Sequence, residues 1–159
     1  MDDGISLTLR GRAVARVVAL PPYWRATIGG ILGTFAMTVW TYAMHISGAS
    51  QLDVARALGA MFNSGKEAVL IGSALHVTIG VIFGLIYAYG FSELLPGPGW
   101  IRGLIFSMLP TTFLLIFIPL YAWGMIIAGA MTFGPVASAL WILNQMVYGV
   151  VLGIFYGTD

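Results

Sequence analysis

The stretch Ala68-Val-Leu-Ile-Gly-Ser-Ala-Leu-His-Val-Thr-Ile-Gly-Val-Ile-Phe-Gly-Leu-Ile-Tyr-Ala-Tyr-Gly-Phe-Ser92 contains no charged residue. A helix needs about 20 apolar residues to cross the ~30 Å hydrocarbon core of a bilayer, and this run supplies them. Two more uncharged runs lie on either side. One extends from Ala26 to Leu52, the other from Gly103 to Thr158. The second of these is too long for one crossing. Its natural break is Ala128-Gly-Ala-Met-Thr-Phe-Gly-Pro135, where the glycines suit a turn and Pro135 suits the first turn of a new helix. The sequence therefore predicts four spans: 26–46, 68–91, 103–127 and 135–156. Pro110 and Pro119 should bend the third, since membrane helices tolerate proline at the cost of a kink.

Composition agrees. Of the 159 residues 59% are hydrophobic and 8% charged, with a mean hydropathy of +0.93. Soluble domains carry about 25% charged residues. The net charge of +1 argues against a nucleic-acid partner, which wants a basic patch. With no cysteine, disulfides, thiolate metal sites, iron–sulfur ligation and cysteine nucleophiles are excluded. The predicted partners are the lipid bilayer and other membrane protein subunits.

Residues 1–25 are expected to form a separate cytoplasmic segment. Asp2 and Asp3 at its start, and Arg10, Arg12 and Arg16 among its apolar residues, do not fit a signal peptide. The mixture reads equally as a helix lying on the membrane surface or as a tail. Arginine and lysine set the orientation. With both termini in the cytoplasm, Arg10, Arg12, Arg16, Arg25 and Arg102 lie inside, and Arg56 and Lys66 outside, which satisfies the positive-inside rule. Tyr23, Trp24, Tyr87, Tyr89, Trp100 and Tyr156 then form an aromatic belt at the inner boundary, with Tyr121 and Trp123 at the outer one.

The inner turn Leu95-Pro-Gly-Pro-Gly-Trp100 makes the second and third spans neighbours. The outer segment between the first two spans is longer. Ser50 with Asp53 can cap a helix start, and Leu52, Ala55, Leu58 and Phe62 recur at helical spacing. Gly59 weakens that helix and Asn63-Ser-Gly65 ends it. A short outer interfacial helix is predicted, with Asp53 and Arg56 facing water.

A shift of 69 residues lays His76-Val-Thr-Ile-Gly-Val-Ile-Phe-Gly-Leu-Ile-Tyr87 on Gln145-Met-Val-Tyr-Gly-Val-Val-Leu-Gly-Ile-Phe-Tyr156. Gly80, Val81, Gly84 and Tyr87 recur as Gly149, Val150, Gly153 and Tyr156. The first and third spans match only loosely. Because two spans separate the copies, both run the same way, as in parallel-repeat transporters. Gly80 with Gly84, Gly149 with Gly153, and Gly29 with Gly33 are GxxxG pairs, which let helix backbones touch where lipid removes the hydrophobic drive for association. They are predicted to pack the bundle internally, a partner helix being the alternative.

Polar groups deep in a span are expensive and point to function. His76, Asn144 and Gln145 are such groups. The bland reading is that His76 faces the interior and hydrogen-bonds Gln145, holding the repeats together. His45 and His76 are the cofactor-binding candidates, for haem or quinone, since two histidines can ligate haem iron. Their different depths oppose it, and no cofactor is predicted. Zinc needs three or four ligands, and only Asp53 and Glu67 are near. Ser73 lies one turn before His76, but no acid orients the histidine and no serine elbow is present, so no catalytic residue is assigned. Lys66-Glu67 suits a helix start at the boundary. The methionines are scattered, as adaptable filler is.

Three segments together carry a resemblance: Gly33-Thr-Phe-Ala-Met-Thr38, His76-x3-Gly-x3-Gly-x2-Tyr87, and Leu95-Pro-Gly-Pro-Gly-Trp-Ile-Arg-Gly103. Over residues 29–157 the chain resembles a family of small, uncharacterised bacterial four-helix membrane proteins, a domain of unknown function. The resemblance implies that fold and the bacterial inner membrane, and supplies no activity. A second histidine often precedes the second glycine repeat in such proteins, where this chain has Gln145. The fold class expected is all-α, an up-down bundle of four transmembrane helices with a two-helix internal repeat. The function expected is that of a non-catalytic accessory subunit of a larger membrane complex, such as a respiratory or photosynthetic electron-transport assembly. A small transporter or channel half acting as a dimer, and a haem- or quinone-binding protein, are the alternatives.

Overall fold

The computed structural model describes residues 20–49, 53–62, 65–109 and 126–157, with the side chains of 126–138 excepted. These residues form five helices: α1, Pro22–Ile46; α2, Val54–Ala60; α3, Ala68–Ile86, continued by a π-helical turn Tyr87–Phe91; α4, Gly99–Leu109; and α5, Ile126–Tyr156. The described residues contain no strand. Residues 1–19, with the expected surface helix or tail, lie outside the described residues, as do Pro110, Pro119, Tyr121 and Trp123.

Local chemistry explains the ends. α1 starts at Pro22 rather than Ala26, because proline pre-sets the first helical dihedral and has no N–H to leave unpaired. α1 closes with Gly48 at φ +74°, so that the Gly48 and Ala49 amides donate back to the His45 and Met44 carbonyls. Asp53 caps α2 through Arg56 N at 2.9 Å, and both side chains are well exposed. The second predicted span keeps its ends, but its last turn widens. Ser92 N donates to Tyr87 O, five residues back.

The last two spans differ from the sequence prediction. α4 already begins at Gly99, and Ile126 and Ile127 belong to the final helix, not to the third span. The break predicted at 128–135 is absent, since α5 runs through Gly134 and Pro135 without interruption. Proline inside a helix costs one backbone hydrogen bond, and here the helix continues past it. The 31 residues of α5 span about 46 Å, more than a bilayer core requires.

The helices alternate in direction. Gly30 and Ala26 of α1 lie against Gly80 and Gly84 of α3 respectively, and Gly33 and Gly29 of α1 against Tyr148 and Leu152 of α5. Gly103 and Gly99 of α4 lie against Gly149 and Gly153 of α5. All three pairs are antiparallel. α3 and α5 run parallel: Tyr148 Oη donates to Gly80 O at 2.6 Å and Tyr156 Oη to Ala88 O at 3.3 Å. Met37, Tyr87, Phe106, Tyr148 and Leu152 form the buried core between them.

Side chains are distributed inside out relative to a soluble bundle. Two helices are long and apolar enough to cross a membrane, Ala68–Phe91 and Ala139–Tyr156, yet only 22% and 28% of their apolar stretches are buried. The core helix of a soluble protein would be mostly covered. Phe35, Tyr42, Ile46 and Leu70 instead point outward, while glycines and hydroxyls fill the helix contacts.

Candidate functional site

Close packing organises the interior twice, in the same way. A methyl added at Gly80 would meet Thr34 Oγ1 and Gly30 O, and one at Gly149 would meet Ser107 Oγ and Gly103 O. So Ala26, Gly30 and Thr34 stand to α3 as Gly99, Gly103 and Ser107 stand to α5. The sequence match of the first and third spans is loose because its register is 73 residues, not the 69 of α3 and α5, and because alanine and threonine stand in for glycine and serine. Gly29 and Gly33 occupy another face of α1, against Leu152, Phe155 and Tyr148. Gly59 of α2 and Gly72 of α3 make a further backbone contact, Gly59 on the Ala68 carbonyl and Gly72 on that of Ala55. Gly59 therefore serves a close approach that more than offsets its poor helix propensity.

The polar residues singled out at mid-span do not form one cluster. Asn144 is buried and its Oδ1 lies 3.1 Å from Thr41 Oγ1, whose one proton is shared with Met37 O at 2.9 Å. His76 and Gln145 are only half-buried, and among the described residues no hydrogen bond joins them, contrary to the expected pairing. Equal sequence depth is not contact: α5 turns Asn144, one residue earlier, toward α1. His45 is exposed near the end of α1. With Thr34 level with Gly80, His45 stands roughly 10 Å beyond His76 along the helix axes. Ser73 Oγ donates to Val69 O of its own helix. Among the described residues, no three His, Asp or Glu side chains are grouped to hold a metal.

A second polar region lies at the end of the bundle where α3 and α5 finish and α1 and α4 begin. Arg25 is buried, its Nη2 donates to Gly157 O at 2.9 Å, and its guanidinium lies 4.8 Å from the Tyr156 ring centroid. A cation at a helix C-terminus neutralises the exposed carbonyl end of the macrodipole. Arg102 Nη1 approaches Ser92 O at 3.4 Å and does the same for the end of α3. Each copy's first helix thus caps the other copy's second helix. The Tyr87 ring meets Phe106 on one side and Tyr156 on the other. In the π turn the Ala88 carbonyl accepts from Ser92 Oγ and Tyr156 Oη. Between these groups lies a cavity of about 60 Å³ lined by Tyr87, Ser92, Glu93, Gly99, Arg102, Tyr156 and Gly157.

Sequence reasoning used Arg25 and Arg102 only as topology charges and Tyr87 and Tyr156 only as belt residues. The signal that they converge was present: the two arginines open the first helix of each copy, and the two tyrosines are equivalent in the repeat.

The features described so far define a helical protein packed through glycines, with apolar side chains turned outward and a polar cavity at one end. The chain belongs to the family of unknown function DUF6789, whose sequence profile matches residues 20–158. No curated protein and no solved structure matches it.

Proposed function

We propose that the chain is an integral protein of the bacterial inner membrane with four spans and both termini in the cytoplasm, acting as a non-catalytic structural subunit of a larger membrane complex. The observation that carries this reading is the inverted distribution of side chains. Backbone-to-backbone contacts at Gly30, Gly80, Gly103 and Gly149 fill the interior and leave little room for a substrate. The large apolar side chains face outward, Phe35 and Tyr42 each 66% exposed and Ile46 72%. A lipid or a partner helix satisfies such a face, and water does not. Purification of the full chain from native membranes in a mild detergent tests the reading. A stoichiometric partner co-purifying in a discrete larger particle is expected, and a lone chain in every detergent would contradict it.

The repeat favours a second reading, a transporter or channel half that dimerises. Its pathway would be lined by His76, Asn144 and Gln145. Cross-linking in native membranes separates the two, because this reading requires a homodimer and the first a different subunit. An absorption spectrum of the purified protein tests the haem alternative.

A further inference from the structure

The cavity at the end of the bundle brings Arg102 and the first residue of α4, Gly99, to one wall. We infer that it takes the phosphate of an anionic phospholipid headgroup at the cytoplasmic surface. This rests on the membrane reading above. Arg102 forms part of the wall. α4 starts at Gly99, also on the wall, so the positive end of its dipole opens there. The two helix C-termini that would otherwise repel an anion are neutralised by Arg25 at Gly157 and Arg102 at Ser92. Glu93 is the one opposing charge among the lining residues. It is exposed to solvent, where its field is screened.

Depth selects a lipid over a free ion. Tyr23, Trp24, Tyr89 and Trp100 are exposed around the same end of the bundle. Exposed tyrosine and tryptophan mark the headgroup level of a bilayer, so the cavity opens where lipid phosphates lie. An arginine in a pocket between helices at the cytoplasmic side is one form that such recognition takes. The volume of about 60 Å³ admits a phosphate with a few waters.

The full chain is reconstituted in nanodiscs of phosphatidylcholine, with or without phosphatidylglycerol. Retention of phosphatidylglycerol is measured by native mass spectrometry after release into detergent. A preference for phosphatidylglycerol is expected, weakened about five-fold in Arg102→Gln, a change matching the ~1 kcal/mol of one basic side chain near an anionic surface. Arg102→Lys keeps the charge and should retain most of the preference. Glu93→Gln removes the opposing charge and should strengthen it, an effect that a loss of folding cannot mimic. Arg56→Gln, at the far end, should change nothing. Inorganic phosphate is added as competitor. If it displaces the lipid at millimolar concentration, the pocket is a free-phosphate site and the lipid assignment fails. Equal retention of both lipids, or no change in Glu93→Gln and Arg102→Gln, would overturn the site while leaving the membrane reading standing. A chain that does not enter nanodiscs at all would overturn that reading first.

Discussion

The rings of Tyr87 and Tyr156 meet edge-on with centroids 5.3 Å apart, and the two residues hold the same position in the two copies of the repeat. Two equivalent residues touch only where the axis relating the copies passes between them. The contact therefore marks where the halves join. Around it the carbonyls of Ala88 and Gly157, again equivalent positions, receive Tyr156 and Arg25 respectively. The halves are alike in backbone packing and have diverged in the polar groups that close their ends.

Tyr148 joins α5 to α3 through Gly80 O. Tyr148→Phe keeps the buried ring and removes only the hydroxyl. Loss of about 0.6–1.7 kcal/mol is expected, the range for interhelical hydrogen bonds in membranes. Chemical unfolding in detergent micelles measures it, and an unchanged midpoint would mean that the bond contributes nothing.

Gly103 and Gly90 offer a matched comparison. A methyl at Gly103 would land on the Gly149 carbonyl, whereas at Gly90 nothing lies within 4 Å. Gly103→Ala should destabilise by about 1–3 kcal/mol through overpacking. Gly90→Ala should be neutral or slightly stabilising, because alanine restricts the unfolded chain. Equal stabilities of the two variants would contradict the close approach of α4 and α5.

Arg25 serves as the cap of α5. Arg25→Gln should cost about 1–2 kcal/mol, since it removes a partly buried cation from a helix C-terminus. Arg25→Lys should recover only part of this, because an ammonium does not stack on Tyr156 as the planar guanidinium does. Melting in detergent ranks the three proteins, and full recovery in the lysine variant would assign the effect to charge alone.

How much of this was legible beforehand depended on the kind of signal. Uncharged runs and GxxxG spacing are local, and they gave the all-helical class and the ends of α3. The break expected at 128–135 rested on Gly134-Pro135, a local turn signal that the structure carries through as helix. The polar contacts were illegible for a different reason. Which of Asn144 and Gln145 reaches α1 depends on the rotation of α5 about its axis, and that is set by Gly149 and Gly153 against α4. The pairing of Arg25 with Gly157 joins residues 132 apart in sequence, and no spacing rule reaches that far.

Thr41 and Asn144 should be coupled where His76 and Gln145 are not. A double-mutant cycle with Thr41→Val and Asn144→Leu should return about 0.6 kcal/mol of interaction energy. The corresponding cycle with His76→Leu and Gln145→Leu should return a value near zero. A larger coupling for His76 with Gln145 would restore the pair that the sequence suggests and the structure lacks.

The claim that the chain crosses the bilayer four times, with its arginine-rich end in the cytoplasm, is tested most directly by single-cysteine labelling. The protein contains no cysteine of its own, so each introduced thiol reports alone. On the proposed topology, Arg56→Cys, Glu93→Cys and Trp123→Cys sample the first outer segment, the inner turn and the boundary expected after the third span. With a membrane-impermeant maleimide applied to intact spheroplasts, Arg56→Cys and Trp123→Cys should be labelled. Glu93→Cys should be labelled only after permeabilisation. Labelling of Glu93→Cys from outside while Arg56→Cys and Trp123→Cys are protected would reverse the orientation. Labelling of Arg56→Cys with protection of Trp123→Cys until permeabilisation would contradict the four crossings.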